Sequence, residues 1–229
     1  MVRLWFPRRC VRTLASRRSA DVSNGSVFTD IAGKYDRINR ILSFGRDQVW
    51  RERVITMLPE GRLLDLGGGT GAANPVFGRR EVIALDPSPE MLSLNEAGRR
   101  VVAVGEHLPF ADYSLDAVFS AYVFRNLDSV ERTLGEVARV LRPGGRLGVV
   151  GLGRPRNRLA AAIHRAGSSI VLPIVGSLAG ARDEYVYLNR SLDKLPPPEK
   201  MFAATPLRRV SLWRMGPLGF VYGVVLEKV

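Results

Sequence analysis

The sequence predicts an open α/β fold with a mostly parallel sheet, and three observations carry that expectation. Short apolar runs recur through the middle of the chain, amphipathic helical stretches separate them, and a glycine-rich turn leaves the first run directly. With 229 residues, 46% of them hydrophobic and 24% charged, the chain can bury one good core, so one globular domain is expected.

Residues 1–24 read as a basic leader outside that domain. The first twenty residues hold six arginines (Arg3, Arg8, Arg9, Arg12, Arg17 and Arg18) and no acid, and removing them lowers the net charge from +12 to +6. This is the make-up of a mitochondrial transit peptide, which would place the protein in the matrix. A disordered basic tail, or an upstream extension from a misassigned start, fits the same residues and leaves a cytoplasmic protein.

The domain is expected to occupy residues 25–229. Val27–Met57 reads as two helical segments, with Phe28, Ile31, Tyr35, Ile38 and Ile41 at three- and four-residue spacing and Thr29 or Asp30 as cap. Ser43-Phe44-Gly45 interrupts the pattern, Val49, Trp50, Val54 and Met57 resume it, and Pro59-Glu60-Gly61 signals a turn. Leu63–Leu66, Val82–Leu85, Val101–Val104, Ala117–Phe119 and Leu147–Val150 then read as strands buried on both faces. Helices are expected at Glu90–Arg99 and Ser129–Leu141, the second carrying Val130, Leu134, Val137, Val140 and Leu141 on one face and stopping at Arg142-Pro143-Gly144-Gly145. Arg156–Leu172 and Arg182–Leu192 look helical and fall outside the alternation, so residues 62–153 form the expected cofactor-binding core and 154–205 a substrate-side helical insert. Val210–Trp213 and Phe220–Leu226 close the sheet as an antiparallel pair.

Several function classes are disfavoured. A lone cysteine, Cys10, leaves no disulfide framework, and with only His107 and His164 besides, no metal site is expected. The longest apolar stretch, Ser168–Gly180, is broken by Pro173 and Gly176 and is short of the roughly 20 residues of a spanning helix. No nucleic-acid recognition motif stands out, so no nucleic-acid partner is expected. The basic excess suits an anionic membrane surface or an acidic substrate, as well as an ordinary solvated face.

The chemistry-bearing motif is Leu63-Leu64-Asp65-Leu66-Gly67-Gly68-Gly69-Thr70-Gly71. Glycines at a strand end let the backbone turn sharply and approach a ligand closely, although such turns also serve packing alone. Asp86, fifteen residues after Gly71 and at the end of the second strand, is placed to accept hydrogen bonds from ribose hydroxyls; capping the turn beside Pro87 is its plainer role. The compact Gly-Gly-Gly-Thr-Gly differs from the spaced glycines of pyrophosphate binders, which argues against a nicotinamide dehydrogenase. Pro-Ser-Pro-Glu-Met after Asp86 enters a helix that can lay Met91 against an adenine ring, or simply into the core.

These residues resemble class I methyltransferases, and within them the ubiquinone/menaquinone biosynthesis C-methyltransferases. DLGGGTG (65–71), ALDPSPEML (84–92), EHLPFADYSLDAV (106–118) and EVARVLRPGGRL (136–147) carry the broad likeness. VFTDIAGKYDRINRILSFGRDQVWR (27–51), Phe124-Arg125-Asn126 and LPIVGSLAGARDEYVYLNRSL (172–192) carry the narrower one. The resemblance implies a Rossmann-like fold: seven strands, mostly parallel, the last antiparallel, helices on both faces and an N-terminal helical lid. It implies S-adenosyl-L-methionine as cofactor and a prenylated benzoquinol or naphthoquinol as substrate, methylated on a ring carbon in quinone biosynthesis.

Carried over by position, Asp65, Gly67, Gly69, Thr70 and Gly71 would line the methionine part of the cofactor. Asp86, Pro87 and Met91 would flank the ribose and adenine, Val104, Gly105 and Glu106 would border the adenine, Ala121 would lie beneath the sulfonium, and Tyr35 would belong to the lid. Val104 stands where the family has Asp or Asn, so a backbone amide of Gly105 or Glu106 would serve instead. Ala72 replaces a common acid, and Val123 replaces a family glycine.

For catalysis, Arg125 is the expected fixed cation beside a substrate phenolate, with Asn126 orienting a quinol oxygen and Tyr187 handling protons; Tyr185 and His107 are further candidates. No metal is required. The apolar segment Ile170–Ala181 is either a lip for the prenyl tail, facing a membrane, or an ordinary helix end. A homo-oligomer is left open. Two rivals remain: methylation of another small molecule or lipid, and a non-catalytic scaffold of a quinone-synthesis complex.

Overall fold

The computed structural model describes residues 43, 45–178, 192–193, 196–203 and 205–229, with only the backbone described for Arg158 and residues 170–178. The leader, the expected helix over Phe28–Ile41 with Tyr35 and its lid, the second insert helix (182–191), and Tyr185 and Tyr187 lie outside the described residues. No helix among the described residues is long and apolar enough to cross a membrane.

Helix α1 (Asp47–Ile55) leads through a turn into β1 (Arg62–Leu66), and β2 (Glu81–Asp86) follows a single 3-10 turn at Asn74–Val76. Helix α2 (Pro89–Ser93), β3 (Arg99–Val102), β4 (Leu115–Ala121), a 3-10 turn at Phe124–Asn126, α3 (Val130–Val140) and β5 (Leu141–Leu152) come next. Helix α4 (Arg158–Leu178), α5 (Pro198–Met201), β6 (Arg208–Met215) and β7 (Val221–Glu227) complete the chain.

The strands form one sheet in the order β3-β2-β1-β4-β5-β7-β6. The first five are parallel, and β7 runs antiparallel to both β5 and β6. The expected sheet, with its antiparallel last strand, is therefore the observed one. Strand order reverses between β1 and β4, and the crevice at such a reversal is where ligands bind in open α/β sheets.

Two cores cover the two faces. On one, Leu134, Val137 and Val140 of α3 pack with Leu64, Ile83 and Leu85 of the sheet. On the other, Trp50, Val54 and Ile55 of α1 pack with Leu63, Phe119 and Val150. The predicted face of α3 is thus its buried face, and Ser129 caps it by accepting a hydrogen bond from the Arg132 amide.

Several boundaries depart from expectation. The helix expected over Arg156–Leu172 is observed over Arg158–Leu178, running on through Pro173 and Gly176. The helix expected over Glu90–Arg99 ends at Ser93, because Asn95 leaves helical register to bond the glycine turn and Arg100 pins the carbonyls of Leu92 and Asn95. β3 covers Arg99–Val102 rather than Val101–Val104, an edge strand whose arginines face solvent. Arg142–Gly145, expected as a helix stop and loop, lies within β5, and the β4–β5 register shifts between Leu115 and Ala117 to accommodate it.

Candidate active site

The glycine turn stands at the carboxyl end of β1, where the sheet reverses order. The amides of Gly67 and Gly68 both donate to the Leu85 carbonyl of β2, at 2.7 and 3.0 Å, so the turn is pinned to the neighbouring strand. Gly67 adopts φ of 72°, a left-handed conformation that costs a side-chain-bearing residue about 1–2 kcal/mol. A Cβ there would also lie 2.2 Å from Val123 Cγ2. Both requirements leave only glycine.

Asp86 closes the far side of the cradle. Its Oδ2 accepts from the Gly69 amide at 3.0 Å and its Oδ1 from the Ser88 amide at 2.9 Å. Burial raises its pKa, while these two backbone donors pull the other way. The cap expected as its plainer role is therefore present, yet a carboxylate offers about four acceptor positions, so two remain open to a ligand. Pro87 is exposed beside it, and Ser88 caps α2 by accepting from the Met91 amide. Met91 is buried, with its Cε 3.3 Å from where a Cβ on Gly69 would sit, so it forms the cradle's apolar edge.

Asp65 lies beneath the turn and is 2% exposed. Its Oδ2 has no hydrogen-bond partner among the described residues and lies 2.8 Å from where a Cβ on Gly68 would be. Desolvation raises its pKa to about 7; the positive charge of Arg51 lowers it and the negative charge of Asp86 raises it further. An orphaned, buried acid under a bare backbone suits a cationic ligand that would supply the missing charge.

Residues that sequence reasoning missed hold this turn. Asn95, 2% exposed, donates to the Gly69 carbonyl at 3.0 Å and accepts from Asn74 Nδ2 at 3.1 Å and the Ala97 amide at 2.9 Å. Gln48 of α1 donates to the Ala72 carbonyl at 2.8 Å. Gly71, with Asn74 and Asn95 packed on its Cα, carries the turn away, and Thr70 stays half-buried at its tip. Tyr122, at φ of 65°, turns the chain so that Val123 lands on Gly67, and Arg51 stacks 5.3 Å over its ring. The sequence carries no cue for this, because a non-glycine residue in that conformation is recognised only from the folded backbone.

Around the rim, Ala121 ends β4 opposite Val150 and is half-buried. Val104 is 43% exposed. Gly105 packs on Thr133, and the Glu106 carboxylate accepts from the Asp128 and Ser129 amides at 2.9 and 3.1 Å, steadying the start of α3. The Glu106 side chain is thus engaged at the start of α3. Arg125 and Asn126 share the 3-10 turn after β4, where Arg125 Nη1 donates to Asn126 Oδ1 at 3.2 Å. His107 is exposed, and nearby Glu136 has its pKa lowered chiefly by its hydrogen bond to Arg139. No group of three or more His, Cys, Asp or Glu residues that could hold a metal occurs among the described residues.

The family described as the ubiE/COQ5 methyltransferase family matches residues 16–211. The demethylmenaquinone methyltransferase of Thermus thermophilus is 38% identical over 195 residues, 77% of this chain and 88% of its own. The ubiquinone/menaquinone biosynthesis C-methyltransferase UbiE of Syntrophotalea carbinolica is 37% identical over 185 residues, 74% of this chain and 78% of its own. Among solved structures, a SAM-dependent methyltransferase of Thermotoga maritima superposes with a TM-score of 0.64 at 18% identity, covering 90% of this chain and 99% of its own. That likeness concerns the fold.

Proposed function

This chain belongs to the ubiE/COQ5 methyltransferase family, and from that premise we propose that it transfers a methyl group from S-adenosyl-L-methionine to a ring carbon of a prenylated quinol. The cofactor supplies a methyl on a positively charged sulfur. The observation that carries the reading is the pairing of a bare glycine turn with two acids close to it: buried Asp65, whose Oδ2 has no hydrogen-bond partner among the described residues, and half-buried Asp86, which accepts from the Gly69 amide.

The roles of the residues follow from that arrangement. Asp65 neutralises the cationic ligand from below, Asp86 grips the ribose, Gly67, Gly69, Thr70 and Gly71 let the methionine part approach, and Pro87 and Met91 flank the adenine. Val104, Gly105 and Glu106 form the adenine's outer border, and Ala121 leaves room beneath the sulfonium. Tyr35 keeps the lid role that the family resemblance gives it, and Tyr187 is the proposed proton handler.

Ring carbons become nucleophilic when the adjacent hydroxyl ionises, and free phenols do so only near pH 10. Arg125, a permanent cation, stabilises that phenolate, and Asn126 orients the oxygen. Closure of the site then excludes water and aligns the ring carbon with the methyl.

The protein works at a membrane surface. Leu159 and Ile163, one helical turn apart on α4, are 71% and 55% exposed, and the +12 net charge favours anionic headgroups.

The test pairs two measurements. Titration of S-adenosylmethionine should give saturable binding that Asp86→Ala weakens by roughly 100-fold, as expected for losing charge-assisted hydrogen bonds. Incubation with a demethylated naphthoquinol and labelled donor should then give a methylated product. Binding without transfer to any quinol would favour the other small-molecule reading; absence of binding would favour a scaffold.

A further inference from the structure

A second hollow opens past the carboxyl end of β5 and the amino end of the antiparallel β7. It has a volume of about 240 Å³ and is lined by Leu152, Arg154, Leu192, Pro197, Met201 and Tyr222, among others. Pockets for drug-sized ligands run to roughly 300–1,000 Å³, so this one suits a compact ring rather than a long chain.

Its charged walls are already satisfied. Arg154 donates to Asp193 Oδ1 and Oδ2 at 3.0 and 2.8 Å and to Ser168 Oγ at 3.1 Å, and it contacts His164 Nδ1 at 3.1 Å. Arg214 donates to both Glu199 oxygens and to the carbonyls of Arg154 and Gly219. Each guanidinium has its own carboxylate, so the hollow does not call for an anion.

Tyr222 is different. It is 2% exposed and borders the hollow. Its ring lies across Gly151, its antiparallel partner on β5, so closely that a Cβ there would be 2.2 Å from both Cζ and the hydroxyl oxygen. Glycine at 151 is what lets the phenol reach over β5. Burial holds its pKa above the ordinary value, so the O–H remains a donor throughout the working pH range. A chain of rings, Phe124 to Phe202 at 5.3 Å and Phe202 to Tyr222 at 6.1 Å, ties this wall to the turn bearing Arg125 and Asn126.

We infer that this hollow receives the acceptor's ring, and that the Tyr222 hydroxyl donates a hydrogen bond to the ring oxygen remote from the methylated carbon. The inference rests on the quinol reading above and adds a residue and a pocket to it. Tyr222 then serves the oxygen across the ring from the reacting carbon.

The experiment measures equilibrium binding of tail-free 1,4-naphthoquinone to the full chain, and methyl transfer to a naphthoquinol and to a 1-naphthol lacking the second oxygen. Tyr222→Phe should bind the quinone about tenfold more weakly and lose the preference for the two-oxygen acceptor, while S-adenosylmethionine binding is unchanged. Leu152→Trp, which fills the hollow, should abolish quinone binding. Unchanged quinone affinity in both variants, or an intact two-oxygen preference in Tyr222→Phe, overturns the inference. Tyr222-dependent binding without any methyl transfer by the parent protein instead overturns the quinol C-methylation reading and leaves the pocket standing.

Discussion

Val123 packs onto Gly67 across the mouth of the cradle, with both of its methyl groups within 3.0 Å of where a Cβ on residue 67 would sit. The two residues come from different strand ends, β4 and β1, and the left-handed φ of Tyr122 brings them together. Gly67→Ala should therefore suffer twice, once from its φ of 72° and once from the clash. The expected cost is about 2–4 kcal/mol of stability, together with loss of S-adenosylmethionine binding. Val123→Ala in the same chain should recover about 1–2 kcal/mol, because it removes the clash and leaves the backbone strain. Urea denaturation of both single variants and the double variant gives the coupling, and strict additivity would disprove the contact.

Asp65 predicts a dependence on pH. Its folded-state pKa is raised to about 7, so between about pH 4 and pH 7 the folded protein holds a proton that the unfolded chain has released. Stability from this group is therefore greatest below pH 4 and declines as pH rises through 7. The difference is at most about 4 kcal/mol at 1.36 kcal/mol per pH unit. Asp65→Asn should flatten that decline in denaturant midpoints measured from pH 5 to pH 8.

The same group links cofactor binding to protons. A cationic ligand favours the charged carboxylate, so near pH 6 binding should release close to one proton per S-adenosylmethionine, and Asp65→Asn should release none. Calorimetry in buffers of different ionisation enthalpy measures that number directly. Equal release by both proteins would place the ligand's charge away from Asp65.

Asn95 shows where the sequence stops being legible. The strands of the core announced themselves as apolar runs, and the face of α3 as a periodic stripe, because burial on a regular element imposes a period. The glycine turn was legible because its backbone takes positive φ at residues 67, 69 and 71, where glycine is favoured. Asn95 lies in a stretch whose Leu92, Leu94 and Ala97 imitate a helix, and only its carboxamide's reach to the Gly69 carbonyl shows why the helix stops. Glu106 capping α3 and Tyr222 lying over Gly151 are equally invisible, since each joins residues more than twenty positions apart without any local pattern.

That staple is itself testable. Asn95→Ala removes one donor and one acceptor from a buried site, leaving the Gly69 carbonyl and Asn74 amide unpaired. A cost of about 2–4 kcal/mol is expected, which for a domain of this size lowers Tm by roughly 4–16 °C. Asn95→Asp should weaken cofactor binding further, because it sets a carboxylate oxygen against the Gly69 carbonyl. A thermal shift and a cofactor titration on the two variants suffice, and a silent Asn95→Ala would show that the turn holds its shape unaided.

Arg125 carries the most specific prediction for the chemistry. If its charge stabilises the phenolate, Arg125→Gln raises the pKa of the bound hydroxyl, so less phenolate is present at neutral pH. The turnover number should fall by about 100-fold or more while cofactor affinity is retained, since Arg125 serves the acceptor and Asp65 and Asp86 the donor. The pH profile should move upward, with activity recovering toward pH 9–10 as the free-phenol value is approached. Acceptors bearing electron-withdrawing substituents, whose hydroxyls ionise more readily, should lose less than the parent quinol. A merely structural arginine would lower activity uniformly across pH and across acceptors, so a flat ratio of variant to parent rates would remove Arg125 from the reaction.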